Sequence, residues 1–137
     1  MAQESLLNRE FITTYLTGPD TWTKSHGSEK GSVDLAAGML YYSLAYSLKA
    51  RTCVNLGSGG GFVPRMLRQA QRDLNLEPSR TILVDGGENV PQAKKDIWGS
   101  PSWLPEDSWF RTNYPDIEIM IGLTEKLFLM MVNVTLA

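Results

Sequence analysis

A cluster of glycines between an apolar run and an amphipathic run constrains this chain more than any other feature. The stretch "TCVNLGSGGGFVPRMLRQAQRDL" covers residues 52–74 and places four glycines within positions 57–61. The run before the cluster is short, rich in β-forming residues and stopped by glycine, which predicts a buried strand over residues 51–57. After the cluster, apolar residues recur at helical spacing, and Pro64 suits a first turn. The chain is therefore predicted to turn sharply from a strand into a helix at the glycines.

A second strand completes a βαβ unit. The segment "RTILVDGG", residues 80–87, is apolar and ends at two glycines, so we expect a buried strand that runs parallel to the first after a right-handed crossover. A third strand is predicted over residues 116–124, where "DIEIMIGLT" alternates and then stops at glycine. These elements predict an α/β fold, with a Rossmann-like parallel sheet and flanking helices.

The segments before this unit are assigned from periodicity and punctuation. Residues 3–16 are predicted to form a short helix, and residues 21–34 a polar connector. A longer helix is predicted from Ser32, because two adjacent apolar stripes run along it. Stripes of that combined width indicate a largely buried helix.

Two later segments are less regular. Residues 88–115 hold three of the four tryptophans and four of the prolines, so we expect a long excursion with one helical turn near residues 105–112. The tail over residues 125–137 fits either a fourth strand or a short helix, and its pattern does not decide between them.

Composition limits the classes of partner. The 137 residues predict a single domain, with an N-terminal helical part over residues 1–50 and a βαβ ligand-binding part over residues 51–137. A net charge of -2 supplies no field that would gather nucleic acid or an anionic membrane. The single cysteine, Cys53, excludes a disulfide framework and a thiolate metal cluster, so no metal site is predicted. Without a signal peptide or a spanning apolar run, we expect a soluble, cytoplasmic protein.

The glycine pattern separates three classes of ligand. A phosphate-binding P-loop needs a lysine and a hydroxyl residue after its last glycine, whereas Phe62 and Val63 stand there. A dinucleotide fingerprint needs G-x-G-x-x-G, and Phe62 replaces its third glycine. The spacing that is present is G-x-G-x-G, formed by Gly57, Gly59 and Gly61. This spacing disfavours both phosphate-centred interpretations.

With an acidic residue after the next strand, the pattern resembles a known family. "VNLGSGGGF" and "ILVDG" are similar to the first and second motifs of class I S-adenosylmethionine-dependent methyltransferases. In that family the glycine loop passes beneath the methionine and ribose parts of the cofactor, and the acid accepts hydrogen bonds from the ribose hydroxyls. The resemblance implies S-adenosylmethionine as cofactor, bound by Gly57, Ser58, Gly59, Gly61 and Asp85. One fixed carboxylate can accept from two vicinal hydroxyls, as it does in dinucleotide folds.

Flanking segments narrow the resemblance to two groups within the superfamily. The loop "KSHGSEKGS", the helix after it and "PDIEIMIGLTEK" are similar to small-molecule O-methyltransferases and to the cephalosporin-hydroxylase-like branch. This implies transfer of a methyl group to an oxygen or nitrogen of a small-molecule substrate. No catalytic base is assigned, because the lone histidine, His26, is as well explained by a solvated loop.

The chain also departs from the family in two places. Asn55 stands two residues before the first glycine, where the family usually has Asp or Glu. The family fold has about seven strands, so we expect an incomplete version: a fragment, a truncated relative, or a homo-oligomer in which a neighbouring chain covers the exposed sheet edge. The alternatives to a methyltransferase are therefore a non-catalytic module that binds S-adenosylmethionine or S-adenosylhomocysteine, and an oligomerising interaction protein.

Simpler interpretations accompany each candidate residue. The glycine cluster could be a tight structural turn, and Asp85 an ordinary residue at a strand end. The row Arg65, Arg68 and Arg72 is expected to be a solvated helix face rather than a nucleic-acid footprint. Four aromatic residues are expected to pack onto the core, with a substrate lid or adenine stacking as the alternative: Trp98, Trp103, Trp109 and Phe110.

Overall fold

The computed structural model describes residues 8–13, 35–98, 101 and 103–122. The predicted connector over residues 21–34, the tail over residues 125–137, and most of the helix predicted over residues 3–16 lie outside the described residues, as does His26. Within the described ranges, every helix is too short or too polar to cross a membrane. The helices are α1 (Arg9–Phe11), α2 (Gly38–Ser47), α3 (Phe62–Asp73), α4 (Gln92–Trp98) and α5 (Trp109–Asn113). The strands are β1 (Thr52–Leu56), β2 (Arg80–Asp85) and β3 (Ile117–Ile121).

The three strands form one parallel sheet in the order β1-β2-β3, which confirms the predicted α/β class. In the register Leu56 pairs with Val84, and Asp85 pairs with Ile121. The carboxyl ends of all three strands therefore meet at one edge, which we call the carboxyl edge, and the opposite edge is the amino edge. The helix predicted after the glycines is α3, and the helical turn predicted near residues 105–112 is α5. Helix α4 was not predicted.

Helices α2 and α3 pack closely because of a glycine. A Cβ built at Gly38 would lie 2.6 Å from the Phe62 ring, so a side chain there would force the two helices apart. Phe62 and Met66 are fully buried in this contact, and Ala70 of α3 packs with Cys53 of β1 farther along. Helix α3 is thus fixed between the sheet and α2.

The prediction that the helix after Ser32 is largely buried is wrong. Helix α2 buries Gly38 and Ala45, but Leu40, Leu44 and Leu48 are 59%, 52% and 74% exposed. A wide apolar stripe needs neighbours on more than one side, and within the described residues α3 covers one side. The stripe identified an apolar surface and did not identify its partner.

The prediction of a solvated arginine face on α3 is also wrong. Arg65 is fully buried and Arg68 nearly so. The Arg65 guanidinium lies 4.8 Å from the centre of the Trp109 ring and 5.4 Å from that of Phe110. Aromatic faces attract such a cation, so a later segment of the chain covers the face that local periodicity assigned to solvent.

Gln71 of α3 connects the helix to the amino edge. Its Nε2 donates to the carbonyl oxygens of Ala50 and Arg80 at 2.9 Å, and its Oε1 accepts from the Thr81 hydroxyl at 2.8 Å. These bonds satisfy buried polar groups where β1 and β2 begin.

Arg68 and Arg72 extend this arrangement to the third strand. Arg68 donates to Gln71 Oε1 at 2.9 Å and to the Ser79 hydroxyl at 2.8 Å. Asp116, directly before β3, accepts from Arg68 at 2.8 Å and from Arg72 at 2.7 Å. The polar groups named here join the starts of all three strands to one face of α3.

Candidate functional site

The glycine loop follows β1 at the carboxyl edge, and its backbone requires glycine. The Gly57 N–H donates to the Val84 carbonyl at 2.8 Å, which extends the pairing of β1 and β2 by one residue. Gly57, Gly59 and Gly61 have φ values of 75°, 53° and 82°. Residues with a Cβ rarely adopt this left-handed conformation, so the G-x-G-x-G spacing matches the three positions where the backbone demands glycine.

Asp85, the last residue of β2, joins the glycine loop to the turn after β2 through its two carboxylate oxygens. Its Oδ2 accepts from the Ser58 N–H at 2.8 Å, and its Oδ1 accepts from the Gly87 N–H at 2.9 Å. The side chain is buried. The structure therefore brings together the predicted site residues: Asp85 bonds Ser58 directly, within a loop that contains Gly57, Gly59 and Gly61.

Two buried oxygen atoms in this region lack a partner. The Ser58 side chain is 8% exposed, and its hydroxyl finds no hydrogen-bond partner within the described part of the chain. The same holds for Asn55 Oδ1 among the described residues, although Asn55 Nδ2 donates to the Gly57 carbonyl at 3.4 Å. A buried polar atom without a partner costs about 1 to 3 kcal/mol. Such atoms at a glycine loop are consistent with a site for a ligand or water.

The first turn of α3 faces the loop without a side-chain cap. Gly61 is the residue before the helix and makes no capping hydrogen bond through a side chain, and the first turn contains no acidic residue. The N–H groups at the start of a helix carry partial positive charge. Asp85 places its carboxylate next to this loop, so negative charge is already present there.

Aromatic residues from the excursion after β2 cover one side of the loop. The Trp103 indole is fully buried and donates Nε1–H to the Gly59 carbonyl at 2.6 Å. A Cβ built at Gly61 would lie 2.9 Å from the Phe110 ring. The expectation that these aromatic residues pack onto the core is confirmed for Trp103 and Phe110. A fully buried ring leaves no face for adenine, so neither residue is a stacking platform.

The other side of the loop is open. Gly57 is exposed, and no heavy atom of the described residues lies within 4 Å of a Cβ built there. The left-handed glycines at the two ends of the loop therefore differ: protein packs against Gly61, whereas space remains beside Gly57. A ligand that uses this loop would approach from the Gly57 side.

The charges at the site disfavour a phosphate ligand. Asp85 occupies the Ser58 N–H of the loop and the Gly87 N–H after β2, and a phosphate beside it would bring like charges together. The cation on the first turn of α3, Arg65, lies against aromatic rings. The donor groups of a neutral or cationic ligand suit the site better.

Sequence reasoning missed the role of Trp103. The hydrogen bond from its indole to Gly59 joins segments 44 residues apart, and neither segment has a periodicity that indicates the contact. The available signal was the density of aromatic residues in an aperiodic segment, which indicated burial without a location. No protein-family model, curated protein or solved structure matches this chain. Its function is therefore argued from the chemistry of this site.

Proposed function

We propose that the glycine loop binds S-adenosylmethionine, and that the chain is a Rossmann-like, class I methyltransferase-type domain that transfers the methyl group to an oxygen or nitrogen of a small molecule. One observation carries the proposal. The buried carboxylate of Asp85 bonds the Ser58 N–H in a glycine loop that is open at Gly57. This combination gives a ligand both a close approach to the backbone and a fixed acceptor.

The acceptor capacity of Asp85 fits a ribose. Each carboxylate oxygen has two lone-pair directions, and each oxygen of Asp85 accepts one hydrogen bond from a backbone N–H. One direction on each oxygen therefore remains for a pair of vicinal hydroxyl donors. The buried Ser58 hydroxyl supplies a further group that a polar ligand atom would satisfy.

The proposed chemistry asks the protein mainly for alignment. The bound cofactor would supply an electrophilic methyl group on its sulfonium. Holding that ligand so that an acceptor atom can approach in line accounts for much of the acceleration in such reactions. A general base is needed where the acceptor must lose a proton, and we assign that role to no residue.

The second candidate is a module that binds S-adenosylmethionine or S-adenosylhomocysteine without transferring the methyl group. It is favoured by the commitment of Asp85 to two backbone N–H donors, because these bonds fix the carboxylate in place and suit it to orienting a ligand. Both candidates share the ligand and differ in turnover.

Titration calorimetry tests the ligand. S-adenosylmethionine and S-adenosylhomocysteine should release or absorb heat with one site, whereas ADP, which carries the phosphates that the site disfavours, should not. Absence of heat and of a thermal shift at millimolar ligand would end the cofactor proposal. Tighter binding of ADP would reverse the argument from charge.

Asp85→Asn tests the ribose assignment. The amide keeps the size of the side chain but has one acceptor oxygen in place of two. Affinity for S-adenosylmethionine should therefore fall by on the order of 1 to 3 kcal/mol. Asp96→Asn is the matched control, since Asp96 is an exposed carboxylate of α4 that accepts from Gln92. Equal affinities in the two variants would show that Asp85 does not hold the ligand.

Mass spectrometry over a panel of phenols, alcohols and amines separates the two candidates. A methyltransferase should yield an acceptor heavier by one methylene and an equivalent of S-adenosylhomocysteine. A binding module should bind the cofactor and yield neither product.

A further inference from the structure

We propose that the free edge of β1 is the surface through which two copies of this chain associate, with the two β1 strands antiparallel across a twofold axis. The observations behind this interface do not involve the ligand proposed for the glycine loop. Strand β1 is one of the two outer strands of the described sheet. One side of β1 pairs with β2, and the other side, the free edge, has no strand partner among the described residues.

The direction of the backbone groups identifies which residues would pair. Arg51 accepts at its carbonyl from the Arg80 N–H, and Gly57 donates its N–H to Val84. Successive residues of a strand direct their backbone groups to opposite edges. Cys53 and Asn55 therefore also face β2, whereas Thr52, Val54 and Leu56 present their N–H and C=O groups to the free edge.

The side chains of the same three residues are accessible. Thr52 is exposed, and Val54 and Leu56 are 42% and 54% exposed. β-branched and aliphatic residues at this exposure stabilise a sheet when they pair across strands. The free edge of β1 thus combines outward backbone groups with apolar side chains, which is the combination that promotes strand addition.

Strand β3, the outer strand on the other side of the sheet, has the charged residues that β1 lacks. On β3, Glu118 is exposed and accepts a two-pronged hydrogen bond from Arg80, with both distances 2.7 Å. Asp116 precedes the strand and is also exposed. Charged side chains on an edge strand oppose pairing with another chain. The β1 segment "TCVNL" contains no charge, so the two edges differ in what they permit.

The β1 edge is complementary to itself. In an antiparallel pair centred on Val54, that residue faces its own counterpart, and Thr52 faces Leu56 of the other copy. The nearest charged residue in sequence, Arg51, falls opposite Gly57, so no like charges meet. A twofold interface requires this property, because the same patch serves both copies.

Helix α2 also carries no charge near β1. Its Ala45 packs with Cys53, and the segment "GMLYYSLAYS" has no charged residue. Neither the β1 segment nor this neighbouring helix therefore offers a charge to a charged partner, which favours a second copy as the occupant.

Sedimentation velocity over a series of concentrations tests the proposal on the full chain. The wild type should shift from monomer to dimer as its concentration rises. Val54→Lys places a charge on the free edge and should raise the dimer dissociation constant at least tenfold. The control Ile97→Lys makes the same change at an exposed apolar residue of α4 and should leave the constant unchanged. A wild type that stays monomeric, or equal effects of the two variants, would overturn the proposal.

Amide hydrogen exchange of the wild type gives a readout that does not depend on a variant folding. The amides of Thr52, Val54 and Leu56 should exchange more slowly as protein concentration rises. The amides of Cys53 and Asn55 should be insensitive to concentration, because they face β2 in the monomer. Exchange of all five amides independent of concentration would contradict pairing at this edge.

Discussion

The amino edge and the carboxyl edge of the sheet differ in how their polar groups are satisfied. At the amino edge Gln71 bonds the carbonyls of Ala50 and Arg80, and Arg68 bonds Asp116, at distances of 2.8 to 2.9 Å. At the carboxyl edge the Ser58 hydroxyl and Asn55 Oδ1 are buried without a partner in the described chain. The polar groups named at the amino edge are paired with one another, whereas these two atoms of the carboxyl edge find no partner in the described part of the chain.

This difference separates stability from ligand binding within one sheet. Parallel α/β sheets place their ligands at the carboxyl ends of the strands, and the bonds that stabilise the amino edge offset the cost of unsatisfied atoms at the carboxyl edge. Removing a polar group should therefore have different consequences at the amino edge and at the carboxyl edge. Changes at the amino edge should reduce stability, and changes at the carboxyl edge should reduce affinity.

The largest effect is expected from Gln71→Leu. The substitution removes the partner of the Ala50 and Arg80 carbonyls and of the Thr81 hydroxyl, and buried groups left without partners cost about 1 to 3 kcal/mol. Urea unfolding should show a loss of roughly 3 kcal/mol, at the upper end of that range. Gln92→Ala, which removes an exposed bond to Asp96, is the control and should cost less than about 0.5 kcal/mol. Equal losses of unfolding free energy in the two variants would contradict the stabilising role assigned to the amino edge.

Gly57→Ala should affect stability less and binding more. The residue has a φ of 75°, so alanine costs about 1 to 2 kcal/mol of backbone strain. Its methyl group would enter the space that we assign to the ligand, and S-adenosylmethionine should bind at least tenfold more weakly when followed by calorimetry. Retained affinity would place the ligand elsewhere.

Acid should weaken the amino edge through Asp116. Burial acts to raise the pKa of this carboxyl, but hydrogen bonds and charges from Arg68 and Arg72 outweigh burial and lower the pKa below its ordinary value. A lowered pKa stabilises the fold above the unfolded-state value and loses that contribution as pH falls through the folded-state value. Because the site is partly exposed, the loss should be under about 1 kcal/mol. Unfolding midpoints from pH 6 to pH 2 should fall less in Asp116→Asn than in the wild type, and parallel curves would contradict this assignment.

The smallest effect on stability is expected from Ser58→Ala. Its hydroxyl has no partner in the described chain, so its removal should leave the free energy of unfolding unchanged within about 0.5 kcal/mol or raise it. Affinity for S-adenosylmethionine should nevertheless fall several-fold. A clear loss of stability would show that the hydroxyl has a structural partner and would weaken the contrast between the edges.

Local patterns predicted the central unit well. The strands and the helix around the glycines follow from short-range signals: a β-forming run, left-handed turn positions and helical spacing. The proximity of Asp85 to the glycine loop was predictable too. Asp85 ends β2 and the loop follows β1, so both lie at the carboxyl edge of two adjacent parallel strands.

The errors arise where burial depends on distant segments. Arg65 carries a charge on a helical face, which locally indicates solvent, but Trp109 and Phe110 cover it from more than forty positions away in the chain. The opposite error occurred at Leu44, whose apolar stripe indicated burial although the described chain leaves it 52% exposed. Periodicity reports the chemistry of a face, whereas tertiary topology decides what covers it.

Titration of the isotope-labelled chain with S-adenosylmethionine, followed by the amide resonances of both edges, tests the ligand site directly. Saturable shifts are expected at Gly57, Ser58 and Gly59, with Gln71 and Thr81 at the amino edge unmoved. Shifts confined to the amino edge, or no shifts at millimolar ligand, would contradict the central claim that the unsatisfied edge is the ligand site.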